Sequence, residues 1–277
     1  SDAEAAYYWG VVLLEEGLDK ATEVLEAIEG DVRFTHAAKF LLARKALADG
    51  DAAAALEALR AAAVGWSGDC RLWDTMAVAA RRAGDIEAAR EAVEAALAAD
   101  PLDPFAAVES LVLDEKATGE NIRKALGIDD DLYLETALFY SGLGQDAQAF
   151  ETASAGAAYT QSAIYYYYLA YFAMKSGADE AALEYAAKAD EMGTPYAFPH
   201  RGETPRILSE VASVSGNSDL PRYHIGTLLY WLGRHDAAIG IWQGLTGAAE
   251  VKGLYRNVAV AYSRGRLAAD AKTSIDL

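Results

Sequence analysis

The side chains able to do chemistry are few and far apart. His36, His200, His224 and His235 are the only histidines and Cys70 the only cysteine. A zinc site needs ligands a helical turn apart or paired cysteines, and no histidine here has such a partner. One cysteine excludes an internal disulfide, and Cys70 reads as a small buried hydrophobe. Gly65-Trp66-Ser67-Gly68-Asp69 has the outline of a nucleophile elbow. Its last glycine is replaced by Asp69 and no strand precedes it, so it reads as an inter-repeat turn. The carboxylates Glu15-Glu16 and Asp129-Asp130-Asp131 read as helix-end capping or solvation. No phosphate-binding glycine loop occurs. These residues predict no catalytic site, metal or cofactor, and a chain that is not an enzyme.

The elements that would position any site come from composition and spacing. The chain is 53% hydrophobic with 24% charged residues and only 6 prolines, which excludes the disordered class. Lys and Arg total 24 against 42 Asp and Glu, a net charge of −18. Such a field repels phosphate backbones and anionic lipid, so neither nucleic acid nor membrane is an expected partner. The acidity reads mainly as the solubility of an alanine-rich surface. No apolar run reaches the roughly 20 residues of a membrane span, and Ser1-Asp2-Ala3-Glu4 is no signal peptide, so a cytoplasmic setting is expected. A chain that starts on serine rather than methionine also reads as processed or excised from something longer.

Helical periodicity runs almost throughout: Ala88, Ala89, Ala92, Val93 and Ala96 share one face. One spacing then repeats, in which a small residue is followed by glycine seven places on and alanine twelve places on. The copies are Ala43, Gly50, Ala55; Ala77, Gly84, Ala89; Ala137, Gly144, Ala149; Ala170, Gly177, Ala182; and Gly226, Gly233, Ala238. Weaker copies flank them, at Gly10, Gly17, Thr22 and at Ala259, Arg266, Ala271. Two antiparallel helices approach closely only where both carry small side chains, so each copy predicts one helical hairpin. A lone hairpin leaves an apolar face wet, and stacking buries it.

The unit from Trp73 through Met76-Ala77, Gly84, Ala89, Val93 and Ala96 to Pro101 resembles the tetratricopeptide repeat. The resemblance implies an all-α fold, a right-handed α-solenoid of about eight antiparallel hairpins, working by protein–protein interaction on its concave face. The expected plan is one continuous solenoid: repeats 1–3 over 1–100, a degenerate helical pair over 101–129, repeats over 130–193, an irregular proline-containing loop plus helix over 194–219, and repeats over 220–277. From Pro101 on the chain is also similar to the C-terminal repeat region of a bacterial family of uncharacterised multidomain proteins, whose N-terminal half resembles a carbohydrate-active β-sandwich enzyme. The carrying residues are Asp103-Pro104-Phe105-Ala106, Tyr133-Leu134-Glu135-Thr136-Ala137, Tyr166-Tyr167-Tyr168-Leu169-Ala170-Tyr171, Phe198-Pro199-His200-Arg201 and Arg256-Asn257-Val258-Ala259-Val260-Ala261-Tyr262. That similarity implies an alternative role, a helical accessory domain docked on a catalytic domain of the same polypeptide.

Projecting the first helix of each pair sends Tyr7, Phe40, Arg44, Arg71, Asp74, Leu134, Leu138, Tyr167, Tyr171, Tyr223, Thr227, Trp231 and Arg256 toward the concave groove. Tyrosine and tryptophan bury much area at low entropic cost, which suits an adhesive surface. The run Tyr165 to Tyr168 must face every side of its helix, so Tyr165, Tyr166 and Tyr168 are expected in the inter-helix packing, and packing is the alternative to the groove for Tyr167 and Tyr171. The loop from Thr194 to Pro205 adds Phe198, His200 and Arg201 as candidate docking residues, or as a packed spacer. The expected partner-binding set is therefore Tyr167, Tyr171, Tyr223, Trp231, Phe40, Arg44, Arg71, Arg256, Phe198, His200 and Arg201, and the expected partner a protein or peptide.

Overall fold

A computed structural model describes residues 2–15, 17–214, 219–245, 256–258 and 260–261. Helix takes 73% of these residues and no strand occurs among them, which makes the chain all-α. The flanking copy at Ala259, Arg266 and Ala271, and the side chains of Glu15 and Glu16, lie outside the described residues. The chain forms two compact units, 1–155 and 156–277.

The first unit is built from α1 (Asp2–Glu15), α2 (Lys20–Glu26), α3 (Thr35–Ala48), α4 (Ala52–Ala63), α5 (Cys70–Arg82), α6 (Ile86–Ala99), α7 (Pro104–Leu113), α8 (Gly119–Leu126), α9 (Asp130–Gly142) and α10 (Asp146–Gly156). Pairs α1/α2, α3/α4 and α5/α6 form hairpins, and the second helix of each packs on the first helix of the next. This is the α-solenoid arrangement of tetratricopeptide type. Ala43, Ala55, Ala77 and Ala89 are fully buried, as close helix approach requires.

The hairpin turn is compact because one aspartate closes both helices. After α3 the N–H of Gly50 donates to the Leu47 carbonyl at 3.1 Å, and that of Asp51 to the Ala46 carbonyl at 2.8 Å. This double closure needs a left-handed residue, and Gly50 takes φ +94°. The Asp51 carboxylate then accepts from the Ala54 N–H at 2.9 Å and starts α4. Gly84 and Asp85 repeat the device between α5 and α6, with Asp85 capping Ala88 at 3.1 Å. Part of the chain's acidity is thus spent on helix N-caps, since Asp69, Asp103 and Asp129 cap α5, α7 and α9.

The second unit contains α11 (Ala163–Lys175), α12 (Asp179–Met192), α13 (Thr204–Ala212), α14 (Leu220–Trp231) and α15 (His235–Gln243), with further helical residues at 256–258 and 260–261. Helix α11 is its axis: every residue from Ala163 to Ala173 is buried. A helix apolar on all sides belongs inside a core, and α12 and α13 enclose this one. The buried hydroxyls find partners, as burial demands. Tyr167 donates to Asp190 at 2.6 Å, and Tyr168 lies 2.8 Å from the Thr204 hydroxyl and 3.2 Å from Glu203.

Candidate functional site

Several sequence-predicted residues of the first unit, and their neighbours, are engaged within the unit. Arg81 Nε donates to the Glu109 carboxylate at 2.6 Å, and the Tyr140 hydroxyl donates to its other oxygen at 2.7 Å. Glu109 is fully buried. The Arg44 guanidinium lies against Gly142, where a Cβ would stand 3.1 Å from Nη2, so the ends of α3 and α9 meet. Asp74 is buried beside Asp103, and desolvation, with the neighbouring carboxylates, pushes it up to about 9, so at neutral pH it carries its proton. Phe40 is buried with its ring edge-on to Trp66, centroids 5.6 Å apart. Arg71 pairs with Asp69 of its own helix start at 2.8 Å.

In the second unit Tyr167 and Tyr171 are buried, which corrects the expectation that they face a groove. The cause is α13, which the irregular stretch after α12 brings down on α11. Its Arg206 donates to the Tyr171 hydroxyl at 2.9 Å, and Glu203 and Thr204 hold Tyr168. Tyr223 is likewise buried, and its ring stacks on Trp242 at 6.2 Å. In the loop after α12 Pro199 is buried, His200 Nδ1 lies 3.3 Å from the Phe198 carbonyl, and Arg201 is half-buried.

What the second unit does expose is a pocket of about 500 Å³ between α14, α15 and the residues Arg256, Asn257 and Val260. Its construction begins at Gly226, the small-residue position of α14. A Cβ there would overlap the Trp242 indole, so glycine lets that ring lie flat against the helix. Trp242 Nε1 then donates to the Tyr223 carbonyl at 3.0 Å and becomes the pocket's inner wall. The Tyr223 hydroxyl accepts from Asn257 Nδ2 at 2.8 Å, and Asn257 Oδ1 accepts from Arg256 Nη2 at 3.1 Å. Tyr223 therefore acts from below, orienting Asn257 and through it Arg256.

Trp231, 68% exposed, forms the rim, and Thr227, Tyr230 and Val260 complete the walls. His235 also lines the pocket, its ring tilted on Tyr230 at 5.1 Å. Phe198, 47% exposed, stands against Trp231 from outside the pocket. The structure thus brings together Trp231, Arg256 and Phe198 of the sequence-predicted set and leaves Phe40, Arg44, Arg71, Tyr167 and Tyr171 elsewhere. Tyr230, His235, Trp242 and Asn257 lay outside the expected partner-binding set. His235 and Trp242 sit on the second helix of their pair, outside a projection of first helices.

Charge divides unevenly. Residues 1–155 hold 30 acidic and 13 basic side chains, a net −17, whereas residues 156–277 hold 12 and 11, a net −1. Among the described residues no carboxylate lines the pocket, and Arg256 and His235 do. Among the described residues no group of His, Cys, Asp and Glu has a metal-holding arrangement, and no helix is long and apolar enough to cross a membrane.

No known family's sequence profile and no curated protein sequence matches the chain significantly. Solved structures with similar folds include the MamA protein, 16% identical with TM-score 0.35 over 69% of this chain and 91% of that one. The P58(IPK) TPR domain is 15% identical with TM-score 0.34, over 99% and 82%. Cut9 and Hcn1 of the APC/C hetero-tetramer are represented by a chain 13% identical with TM-score 0.40, over 100% and 52%. The stacked helical hairpins of the first unit, and the all-helical fold of the described residues, rest on the chain's own geometry.

Proposed function

We propose that this protein is a non-catalytic interaction scaffold whose partner docks at the second-unit pocket. The observation that carries the reading is Trp231, an indole more than half exposed on the rim of a concave site that has aromatic walls and an oriented guanidinium. Exposed tryptophan and arginine beside a pocket are the residue types that dominate binding energy at protein interfaces. The first unit is consistent with the same division of labour, because its buried Glu109 is matched within the unit by Arg81 and Tyr140.

A second reading places the occupant in the same polypeptide, as the similarity from Pro101 onward implies. Phe198 favours it, an exposed aromatic on an irregular loop at the edge of the pocket. A parent reading frame that begins near residue 1 would refute this second reading. The primary reading is tested by affinity capture from the source lysate with three baits: the native chain, Trp231→Ala, and Val64→Ala, which alters an exposed apolar side chain of the first unit. A partner retained by the native chain and Val64→Ala and lost with Trp231→Ala is expected. Equal capture by all three contradicts the site.

A further inference from the structure

We propose that the segment bound in this pocket presents an aromatic side chain flanked by side-chain carboxylates. The inference rests on the scaffold reading above and names the chemistry of its partner.

The aromatic half follows from the walls. Trp231, Tyr230 and Trp242 surround a volume of about 500 Å³, inside the range of sites that enclose an organic side chain or small ligand. Aromatic rings meet each other in edge-to-face or offset geometry, and Phe198 already occupies one side of Trp231 at 5.3 Å and 89°. The rest of the exposed indole is open to an incoming ring. Because Phe198 extends the aromatic surface beyond the pocket mouth, a chain that continues past the inserted ring covers both residues, which favours a peptide segment over a compact ligand.

The anionic half follows from donors and charge. Thr227 Oγ1, Trp242 Nε1 and Asn257 Nδ2 all donate to Tyr223, so these polar groups are spent on building the site. Arg256 is different. It is exposed, makes one hydrogen bond, to Asn257, and pairs with no carboxylate among the described residues. A guanidinium held by one nitrogen presents its other N–H groups as a fork, the geometry that carboxylates match. Most charged residues in this chain are acidic, yet among the described residues none of the acidic ones lines the pocket. The surrounding unit is nearly neutral at −1, so an approaching carboxylate meets Arg256 without opposition from its own unit. A basic segment would face Arg256 directly and is disfavoured.

The test titrates the full chain with three peptides capped at both ends, so that no terminal charge contributes: acetyl-Gly-Ser-Asp-Phe-Asp-Ser-Gly-amide and its Asn-Phe-Asn and Asp-Ala-Asp counterparts. Binding is followed by calorimetry on the native protein, Arg256→Gln and Trp231→Ala, with circular dichroism confirming that each variant folds. The Asp-Phe-Asp peptide is expected to bind about 10-fold or more tighter than either counterpart. Arg256→Gln should abolish its preference over Asn-Phe-Asn, and Trp231→Ala its preference over Asp-Ala-Asp. If Asn-Phe-Asn binds as tightly as Asp-Phe-Asp, the carboxylate inference fails while the pocket stands as a docking site. If none of the peptides binds, or binding ignores both substitutions, the pocket fails as a docking site and the inference falls with it.

Discussion

Phe198 stands edge-on to Trp231, ring centroids 5.3 Å apart and planes at 89°, and so joins the irregular loop after α12 to the rim of the pocket. Edge-to-face pairs contribute about 0.5 to 1.5 kcal/mol beyond area burial, less here because both rings are partly wet. Phe198→Ala should therefore cost the second unit at most about 1 kcal/mol and shift tryptophan emission to the red. A loss of several kcal/mol in a denaturant melt would make the loop a structural spacer rather than part of a docking surface.

Gly226 and Gly240 offer a matched pair of substitutions. Glycine to alanine inside a helix normally stabilises by roughly 0.5 to 1 kcal/mol. At Gly240 a Cβ meets nothing within 4 Å, so Gly240→Ala should show that gain. At Gly226 the new methyl overlaps the Trp242 indole, and overpacking costs of roughly 1 to 3 kcal/mol exceed the helix gain. Gly226→Ala should lower stability and disturb the pocket wall. Chemical denaturation of both variants checks the opposite signs.

Glu109 is buried between Arg81 and Tyr140. Removing one partner of a buried ion pair strands the other, so Glu109→Ala should destabilise the first unit by about 3 to 5 kcal/mol. Arg81→Met with Glu109→Leu, which removes both charges, should cost much less. Thermal melts of the two variants make the comparison, and equal losses would mean that the pair is not the source.

Two buried groups give the units opposite pH responses. Asp74 has a folded-state pKa raised from 3.8 to about 9, so it holds a proton that the unfolded chain releases. Its contribution to stability is full below about pH 4 and is lost as pH rises toward 9. Asp74→Asn should flatten that dependence and stabilise the first unit at pH 8 by roughly 1 to 3 kcal/mol, the scale of one relieved buried polar group.

His224 behaves in the reverse sense. It is fully buried, with its ring 6.1 Å from that of Tyr167 and 5.5 Å from that of Tyr223, and desolvation pulls it from 6.5 down to about 4. The unfolded chain takes up its proton first, so stability is lost as pH falls from 6.5 toward 4. The same helix end brings in the Gly193 backbone and, through Tyr167, Asp190. His224→Phe should remove this acid-side loss from the melting curve of the second unit, and an unchanged acid limb would assign the loss to other groups.

The fold was legible because its signal is periodic. Ala43, Ala77, Ala137 and Ala170 recur at the close-packing position, and each is fully buried. The site was legible only in part. Projection of first helices reaches Thr227, Trp231 and Arg256, which do share one pocket, but it cannot see Trp242, whose seat on Gly226 depends on the opposite helix. Tyr167 and Tyr171 were misplaced because a run of tyrosines covers a whole helical turn. Which of them is enclosed depends on α13, delivered by a stretch with no repeat period. The Arg81–Glu109–Tyr140 network was invisible for a related reason: Glu109 sits on α7, where the spacing breaks.

The most direct test of the docking site is photo-cross-linking from the rim. A benzoylphenylalanine placed at position 231, and in a separate variant at position 64 on an exposed turn of the first unit, reports what lies against each. Irradiation in the source lysate should yield a discrete cross-linked partner from position 231 that is absent from position 64 and suppressed by excess unlabelled native chain. Identical products from both positions, or none from position 231, would contradict a partner seated on Trp231.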